Sequence, residues 1–191
     1  MKNNPKKSLI LKAAHKRFAR HGLVKTTLEE ISRDLRIGKA SIYNYFDSKD
    51  DIFHAVLQQE VEKFIQELND IFDNVQIIHK TRLLNYIKLK ERIREKYILL
   101  YNILISMYRD FLLEPEIIIL KLLLEKEETV ISGYFLKNDL SHSRLSPLSP
   151  SFIVNLTWGL VLTSQFDIIL NKSLPGKNIQ IFEAVLNMID I

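Results

Sequence analysis

Hydrophobic residues recur at intervals of three and four along most of the chain, a spacing that predicts amphipathic helices. In the first segment they fall on Ile10, Ala13, Ala14 and Phe18. Gly22 is predicted to end this helix, because glycine readily takes the left-handed conformation found beyond helix C-termini. No segment shows the sustained alternation of polar and apolar residues that marks a strand. The predicted fold class is therefore all-α.

Two short helices are predicted to follow the first. Thr27 and Glu30 have the spacing of a capping box, which opens a helix with its apolar residues on one side. A break at residues 36–38 separates it from a compact helix that runs through Phe46, with Ile42 and Phe46 on its inner face. The first three helices thus form a small N-terminal bundle.

A long helix is predicted from Ser48 to about Val75, a stretch that contains neither Gly nor Pro. The spacing then predicts five further helices, at 79–95, 96–113, 116–138, 151–171 and 178–190. Their separators are Pro115, the Ser- and Pro-rich segment 139–150, and the Pro175-Gly176 pair.

Positive charge is concentrated at one end of the chain. Residues 1–50 hold 12 Lys and Arg against 5 Asp and Glu, whereas the whole chain of 191 residues has a net charge of only +4. A basic module on a mildly acidic body is the electrostatic footprint of nucleic-acid binding, although a solvated Lys-rich end would give the same count.

The basic module has the layout of a helix-turn-helix, in which the second helix of the pair lies in the DNA major groove. With Ile42 and Phe46 turned inward, the outward positions hold Lys39, Ser41, Tyr43, Asn44 and Tyr45. Lys donates to guanine or phosphate, Asn pairs with adenine, and Tyr donates its hydroxyl to phosphate. Thr27 and Lys49 stand at helix starts, where backbone N–H groups favour phosphates, and Arg36 adds charge in the turn.

Three stretches of this module carry a family resemblance. They are Ile10-Leu-Lys-Ala-Ala-His-Lys-Arg-Phe-Ala-Arg-His-Gly22, Thr26-Thr-Leu-Glu-Glu-Ile31, and Ile37-Gly-Lys-Ala-Ser-Ile-Tyr-Asn-Tyr-Phe-Asp-Ser-Lys-Asp-Asp-Ile52. Together they resemble the DNA-binding domain of the TetR family of transcriptional regulators over about residues 8 to 56. In two places the chain departs from the family pattern, with Arg36 where the family usually has Gly and Gly38 where it usually has Ser or another capping residue.

The resemblance implies a homodimeric regulator, usually a repressor, whose C-terminal helices bind a small inducer. It implies a DNA-binding domain at 1–47 and a ligand-binding and dimerisation domain at 48–191. By family position, Thr27, Tyr43 and Lys49 would contact phosphates of a near-palindromic double-stranded operator. Lys39, Ser41, Asn44 and Tyr45 would lie at or near base edges.

The last two predicted helices have more apolar surface than one core needs. Their candidate dimer-interface residues are Ile153, Leu156, Leu160, Phe182, Leu186 and Ile189. The resemblance implies that these helices pair with their twins, with Gly159 permitting close approach. Packing within a single large core is the alternative.

Candidate effector contacts in the middle and late helices combine aromatic rings with polar groups. They are Tyr101, Asn102, Tyr108, Arg109, Trp158 and Gln165. Such a set would suit a small lipophilic compound with an acidic group near Arg109. The alternative is that the aromatic residues are core and that Arg109 pairs with a neighbouring carboxylate.

Other functional classes find less support. The five His residues lack metal-ligand spacing, and the chain has no Gly-rich phosphate loop or nucleophile motif, so we expect no enzyme, no metal and no cofactor. An all-helical interaction or scaffold protein without sequence-specific DNA binding is the alternative function. With no Cys, no apolar signal region and no uncharged run suited to a bilayer, the chain is expected to be cytoplasmic and without membrane contact.

Overall fold

The computed structural model describes residues 4–107, 112–138, 149–169 and 176–188, without the side chains of 164–169 and 188. Within these ranges the chain forms helices and no strand, which confirms the all-α prediction. The helices are α1 (Pro5–Lys25), α2 (Leu28–Leu35), α3 (Lys39–Tyr43), α4 (Lys49–Asp73), α5 (His79–Glu91), α6 (Ile93–Lys96), α7 (Ile98–Ser106), α8 (Glu114–Lys137), α9 (Pro150–Ile169) and α10 (Lys177–Met188).

The helices group into two compact units. The first lies within Met1–Glu62 and Ile98–Ile119, and the second within Lys63–Tyr97 and Leu120–Ile191. The first unit therefore combines the three N-terminal helices with part of α4, with α7 and with the start of α8. Because these units are defined by packing, they do not test the functional boundary between residues 47 and 48, which stays a prediction.

Helix α1 shows how its sequence sets its end. Gly22 has φ 72° and ψ 175°, the positive φ expected of a glycine that interrupts a helix. Helical structure nevertheless resumes after Gly22 and continues to Lys25. The Thr26 hydroxyl donates to the Gly22 carbonyl at 2.7 Å and so satisfies a group that the interruption frees. Gly22 therefore introduces a kink one turn before the last residue of α1.

The core of the first unit is apolar and tightly packed. Phe18 on α1 is fully buried and meets Phe53 on α4 edge-to-face, with ring centroids 5.0 Å apart. Ile31 on α2 and Ile42 on α3 are also fully buried. Burying one such side chain contributes about 1.5–3 kcal/mol. This core fixes α2 against α1 and α3 against α2.

A buried carboxylate connects three helices of the first unit. Glu60 on α4 is 4% exposed, and its Oε1 lies 2.7 Å from Nε2 of His15 on α1. Its Oε2 accepts a hydrogen bond from the backbone N–H of Leu100 at 2.9 Å, in the first turn of α7. A carboxylate at a helix N-terminus satisfies an otherwise unpaired N–H and favours the positive end of the helix dipole.

The second unit packs aromatic rings between its helices. Phe64 on α4 stacks on Trp158 of α9 with ring centroids 5.9 Å apart, and Phe72 packs against Tyr134 of α8 at 4.6 Å. Helix α5 lies against α9 and α10, and Lys80 on α5 pairs with Glu183 on α10 at 3.2 Å.

Three predicted helix boundaries in the middle of the chain are wrong. The helix expected at 79–95 is divided at Arg92, whose φ of −87° and ψ of 6° are not helical. The helix expected at 96–113 is observed from Ile98 to Ser106, and residues 108–111 lie outside the described ranges. Helix α8 begins at Glu114 and includes Pro115, since a proline in the first turn lacks only an N–H that would have no partner there.

A fully buried polar cluster lies at the centre of the second unit. The Lys90 ammonium is 2.7 Å from the Glu127 carboxylate and donates to the Thr157 hydroxyl, also at 2.7 Å. Glu127 accepts hydrogen bonds from the Tyr86 hydroxyl at 2.5 Å and from the Trp158 indole at 2.7 Å. Lys90 and Glu127 are both 0% exposed. Every polar atom of this ion pair is therefore compensated inside the protein.

Within the described ranges, no helix combines the length and the apolar character that crossing a bilayer requires.

Candidate DNA-binding site

Helix α2 opens with the capping box that its sequence predicted. The Glu30 N–H donates to the Thr27 hydroxyl at 3.3 Å, and the Thr27 N–H donates to the Glu30 carboxylate at 2.9 Å. The bonds that the Thr27 N–H and the Thr27 hydroxyl donate to the Glu30 carboxylate lower the pKa of Glu30. The α2 N-terminus is thus fixed in place, with Thr27 at the position predicted for a phosphate contact.

The turn between α2 and α3 is made by Arg36 and Gly38. Arg36 has φ 55° and ψ 39°, the left-handed conformation in which glycine is favoured. Its N–H donates to the Arg33 carbonyl, and the Ile37 N–H donates to the Ser32 carbonyl, which closes the end of α2. Gly38 is the N-cap of α3 and has no side chain to cap it. The turn therefore keeps the geometry of a glycine turn with an arginine in the glycine position.

Helix α3 and the residues just after it carry the predicted reading face, which we define as Lys39, Ser41, Tyr43, Asn44 and Tyr45. Ile42 is fully buried and Phe46 is 6% exposed, which confirms that both face inward. The helix ends at Tyr43, however, and a turn follows in place of the helix expected through Phe46. Tyr43 is 48% exposed and Asn44 is also exposed. Both of these predicted contact residues therefore face solvent.

Lys39, at the start of α3, forms an ion pair with Glu29 of α2. The Glu29 carboxylate raises the pKa of Lys39, and Lys39 in turn lowers the pKa of Glu29. Both side chains are largely exposed, so the pair is screened by solvent and exchanges readily for another anion. Lys39 can therefore contact DNA either by exchanging Glu29 for a phosphate or through its remaining donors.

Lys49, the first residue of α4, is engaged with backbone carbonyls. Its Nζ donates to Leu23 at 2.8 Å and to Thr26 at 3.0 Å, at the end of α1. An ammonium has three donors, so one remains for a phosphate. Helical spacing does not predict this contact, because Lys49 and Leu23 are 26 positions apart.

A groove of about 220 Å³ runs between α1 and the reading face. Ser41 and Tyr45, both half-buried, line it together with Asn44. Lys6 and Leu9 of α1 form its opposite wall. The first turns of α1 thus lie beside the predicted base contacts, a position that helical spacing alone could not reveal.

The candidate effector residues are only partly described. Tyr101 and Asn102 lie on α7 in the first unit, and Trp158 lies on α9 in the second. Trp158 is 5% exposed and its indole N–H already donates to Glu127. Tyr108, Arg109 and the side chain of Gln165 lie outside the described residues.

The candidate interface residues divide into two groups. Ile153 on α9 and Phe182 and Leu186 on α10 are buried within this single chain, as the alternative of internal packing requires. Leu156 and Leu160 are half-buried on the outer side of α9, and Ile189 lies outside the described residues.

Comparison with known proteins identifies the N-terminal module. Residues 10–56 match the model of the bacterial regulatory proteins of the tetR family. Over 59 residues the chain is 36% identical to the HTH-type transcriptional regulator HbdR of Aromatoleum sp. (strain CIB). The aligned segment covers 31% of this chain and 26% of HbdR. The match thus spans about a quarter of that relative's length.

Two further comparisons extend over most of the chain. The HTH-type transcriptional regulator RutR of Escherichia coli (strain K12) is 24% identical over 156 residues, covering 80% of this chain and 70% of RutR. FadR from Bacillus subtilis, solved in complex with stearoyl-CoA, shares the fold with a TM-score of 0.64 at 17% identity, covering 95% and 96% of the two chains. With the helix-turn-helix geometry, these matches identify residues 10–56 as a DNA-binding module of the tetR family of bacterial regulatory proteins.

Proposed function

We propose that this protein is a ligand-responsive repressor that binds a near-palindromic DNA operator as a homodimer. The observation that carries the proposal is the presentation of α3 within the matched region 10–56. Ile42 of α3 and Phe46, just beyond the helix, are buried in the core, while Tyr43 and Asn44 face solvent. A helix held in this way fits the major groove, and a two-fold dimer matches two half-sites.

The exposed residues suit different parts of DNA recognition. Asn44 has both a donor and an acceptor, the pair needed for bidentate recognition of adenine. The Tyr43 hydroxyl, the free donor of Lys49 and the N-terminus of α2 at Thr27 suit phosphates, which carry no sequence information.

The first test separates these two roles. DNA from upstream of the gene and a shuffled copy would be titrated by fluorescence anisotropy against wild type, Asn44→Ala and Tyr43→Phe. We expect Asn44→Ala to lose about 1–3 kcal/mol on the upstream DNA and little on the shuffled copy. Tyr43→Phe removes one hydroxyl and is expected to weaken binding to both about equally.

Lys121→Ala is the control, because it removes an exposed charge from α8, far along the chain from the reading face. It should bind both DNAs as wild type does. Failure of wild type to prefer any upstream DNA over shuffled DNA would contradict the proposal and favour a helical scaffold protein.

The proposed dimer surface is the outer side of α9. Phe152 is 47% exposed, and Leu156, Gly159 and Leu160 follow it at helical spacing on the same side. A Cβ placed on Gly159 would touch no neighbouring atom, so this position has room for a partner helix. On α10, Ile181 is 39% exposed. These positions replace Ile153, Phe182 and Leu186 as the residues best placed to meet a second copy.

The second test compares a surface and a core position. Leu160→Glu places a charge on the proposed interface and should give a folded monomer, because an unpaired charge in an apolar interface is strongly unfavourable. Phe182→Glu places the same charge in the core and should unfold the protein. Sedimentation with circular dichroism measures both, and a folded Leu160→Glu protein that stays fully dimeric contradicts the interface.

The proposed effector is a small lipophilic compound. The support is the largely apolar interior of the second unit and the fold shared with FadR, a protein solved with stearoyl-CoA. We place the protein in the cytoplasm, where a bacterial regulator meets the chromosome.

A further inference from the structure

A cavity of about 430 Å³ lies in the second unit, between the end of α4, the first turn of α5 and the C-terminal half of α8. Phe72, Val130 and Tyr134 supply apolar surface. Gly133 lies on the same wall, and a Cβ placed there would touch nothing within 4 Å. Cavities of this size hold small organic ligands.

Arg82 brings a buried positive charge to this cavity. It is 5% exposed and lines the wall. Its Nε donates to the Asn74 carbonyl at 2.9 Å, and its guanidinium donates to the Tyr134 hydroxyl at 3.4 Å. Both acceptors are neutral. Among the residues that the structure describes, no carboxylate forms an ion pair with Arg82.

A buried guanidinium without a counter-ion is unusual. Arginine stays protonated at any relevant pH, and taking its charge out of water is costly unless an anion compensates it. By contrast, the buried Lys90 in the same unit has Glu127 at 2.7 Å. Arg82 therefore has unused capacity for an anion on the cavity side.

The other polar groups on the cavity leave this positive charge in place. Asp73 is 3.5 Å from Lys137, and both side chains are about 70% exposed, so this pair is neutral overall and lies toward solvent. Asn69, Thr129 and Asn138 are uncharged. Tyr134 shares a hydrogen bond with His79, and burial raises the pKa of its hydroxyl, which therefore stays neutral.

We propose that this cavity binds a small carboxylate with a short apolar body. The carboxylate meets the Arg82 guanidinium in a bidentate pair, and the apolar body packs against Phe72, Val130 and Tyr134. Of the effector residues that the sequence suggested, the described ones, Tyr101, Asn102 and Trp158, do not line this cavity. That its occupant is the effector rests on the proposed function, whereas binding itself does not.

The experiment titrates the full chain by calorimetry without DNA. The probes are hexanoate, 1-hexanol as its neutral analogue, and inorganic phosphate as an anion without an apolar body. Hexanoate should bind at least about tenfold more tightly than either, since a charge-assisted pair adds to the apolar contact. Equal binding of 1-hexanol, or no hexanoate binding at roughly 10 mM, would overturn the proposal.

Two variants locate the site. Arg82→Gln removes the charge, and Gly133→Leu fills the cavity while leaving Arg82 in place. Each should weaken hexanoate binding about tenfold or more. Arg92→Gln, the same substitution at an exposed arginine, should bind as wild type does. If Arg82→Gln does not fold, Gly133→Leu decides, and wild-type affinity in a folded Gly133→Leu protein overturns the proposal.

A titration of the DNA complex keeps the two proposals apart. An effector that weakens DNA binding must itself bind the complex more weakly, by the same factor. If the wild-type protein binds hexanoate but does not prefer upstream DNA over shuffled DNA, the proposed function alone is refuted. If it prefers upstream DNA but does not bind hexanoate, the cavity assignment alone is refuted.

Discussion

The α2–α3 segment and the Lys90 cluster both contain networks of polar side chains, yet the two networks are built in opposite ways. In the α2–α3 segment, Thr27 bonds to Glu30 and Lys39 to Glu29, partners within ten positions and close to solvent. In the cluster, Lys90 and Trp158 meet at Glu127, partners more than thirty positions apart and fully enclosed. The spacing of a short-range network can be recognised in the sequence, and its loss should lower the free energy of unfolding only slightly. A long-range buried network cannot be recognised from spacing, and its loss should lower the free energy of unfolding severely.

Removing one member of the buried cluster is the strongest test of this contrast. Glu127→Ala leaves the Lys90 charge unpaired and deprives the Tyr86 hydroxyl and Trp158 indole of their acceptor. We expect a loss of about 3–5 kcal/mol in the free energy of unfolding, measured by urea denaturation.

The matched control for that change is the double variant Lys90→Met/Glu127→Gln. It removes both charges and keeps a hydrogen-bonding group at position 127, so most of the stability should return, because replacing a whole buried pair costs little. If the single variant were as stable as the double, Lys90 would not depend on Glu127.

The same cluster should give the unfolding free energy a dependence on pH. Burial lowers the pKa of Lys90 to about 8, whereas an unfolded lysine titrates near 10.5. Between these values the unfolded chain binds more protons, so stability rises with pH. We expect the difference between wild type and the double variant to shift in favour of wild type by up to about 2 kcal/mol between pH 8 and about 10.

Urea denaturation at intervals across that window measures the effect. The upper limit matters because burial raises the pKa of Tyr86 well above 10, which makes its own contribution fall as pH rises further. A difference that stays flat across the window would mean that Lys90 keeps its proton when folded.

The turn should respond weakly and in the other direction. Arg36 takes the left-handed conformation, which costs a residue with a side chain about 1 kcal/mol relative to glycine. Arg36→Gly should therefore raise the free energy of unfolding, by at most about 1 kcal/mol, in thermal denaturation.

Arg33→Gly is the control for that variant, because Arg33 lies inside α2 with ordinary helical geometry. There glycine should destabilise by about 1 kcal/mol. Equal effects at the two positions would show that backbone conformation does not distinguish them.

The contrast also explains how far sequence reasoning reaches. The capping box at Thr27 and the inward placement of Ile42 are set by spacing along one helix, and both were predicted correctly. The Lys49 contact with Leu23 and the Arg82 cavity depend on helices that meet only in the folded chain. The spacing of residues along one helix does not predict which distant residue a side chain will contact in the folded chain.

For a related reason, the spacing of apolar residues in α9 and α10 does not tell core residues from residues of a dimer interface. It identifies residues that avoid water, such as Phe182 and Leu160, without distinguishing the chain's own core from a partner's surface. Phe182 is 1% exposed in one chain, whereas Leu160 is half-buried. Only packing separates the two.

Glu60 ties three helices of the first unit together, and this has a mechanical consequence. Its carboxylate is bonded to His15 on α1 and to the first turn of α7, while its own backbone belongs to α4. The three helices therefore have little freedom to slide past one another independently. A displacement of α7 would therefore be transmitted to α1, and through α1 to α2, which packs on it, and to α3, which packs on α2.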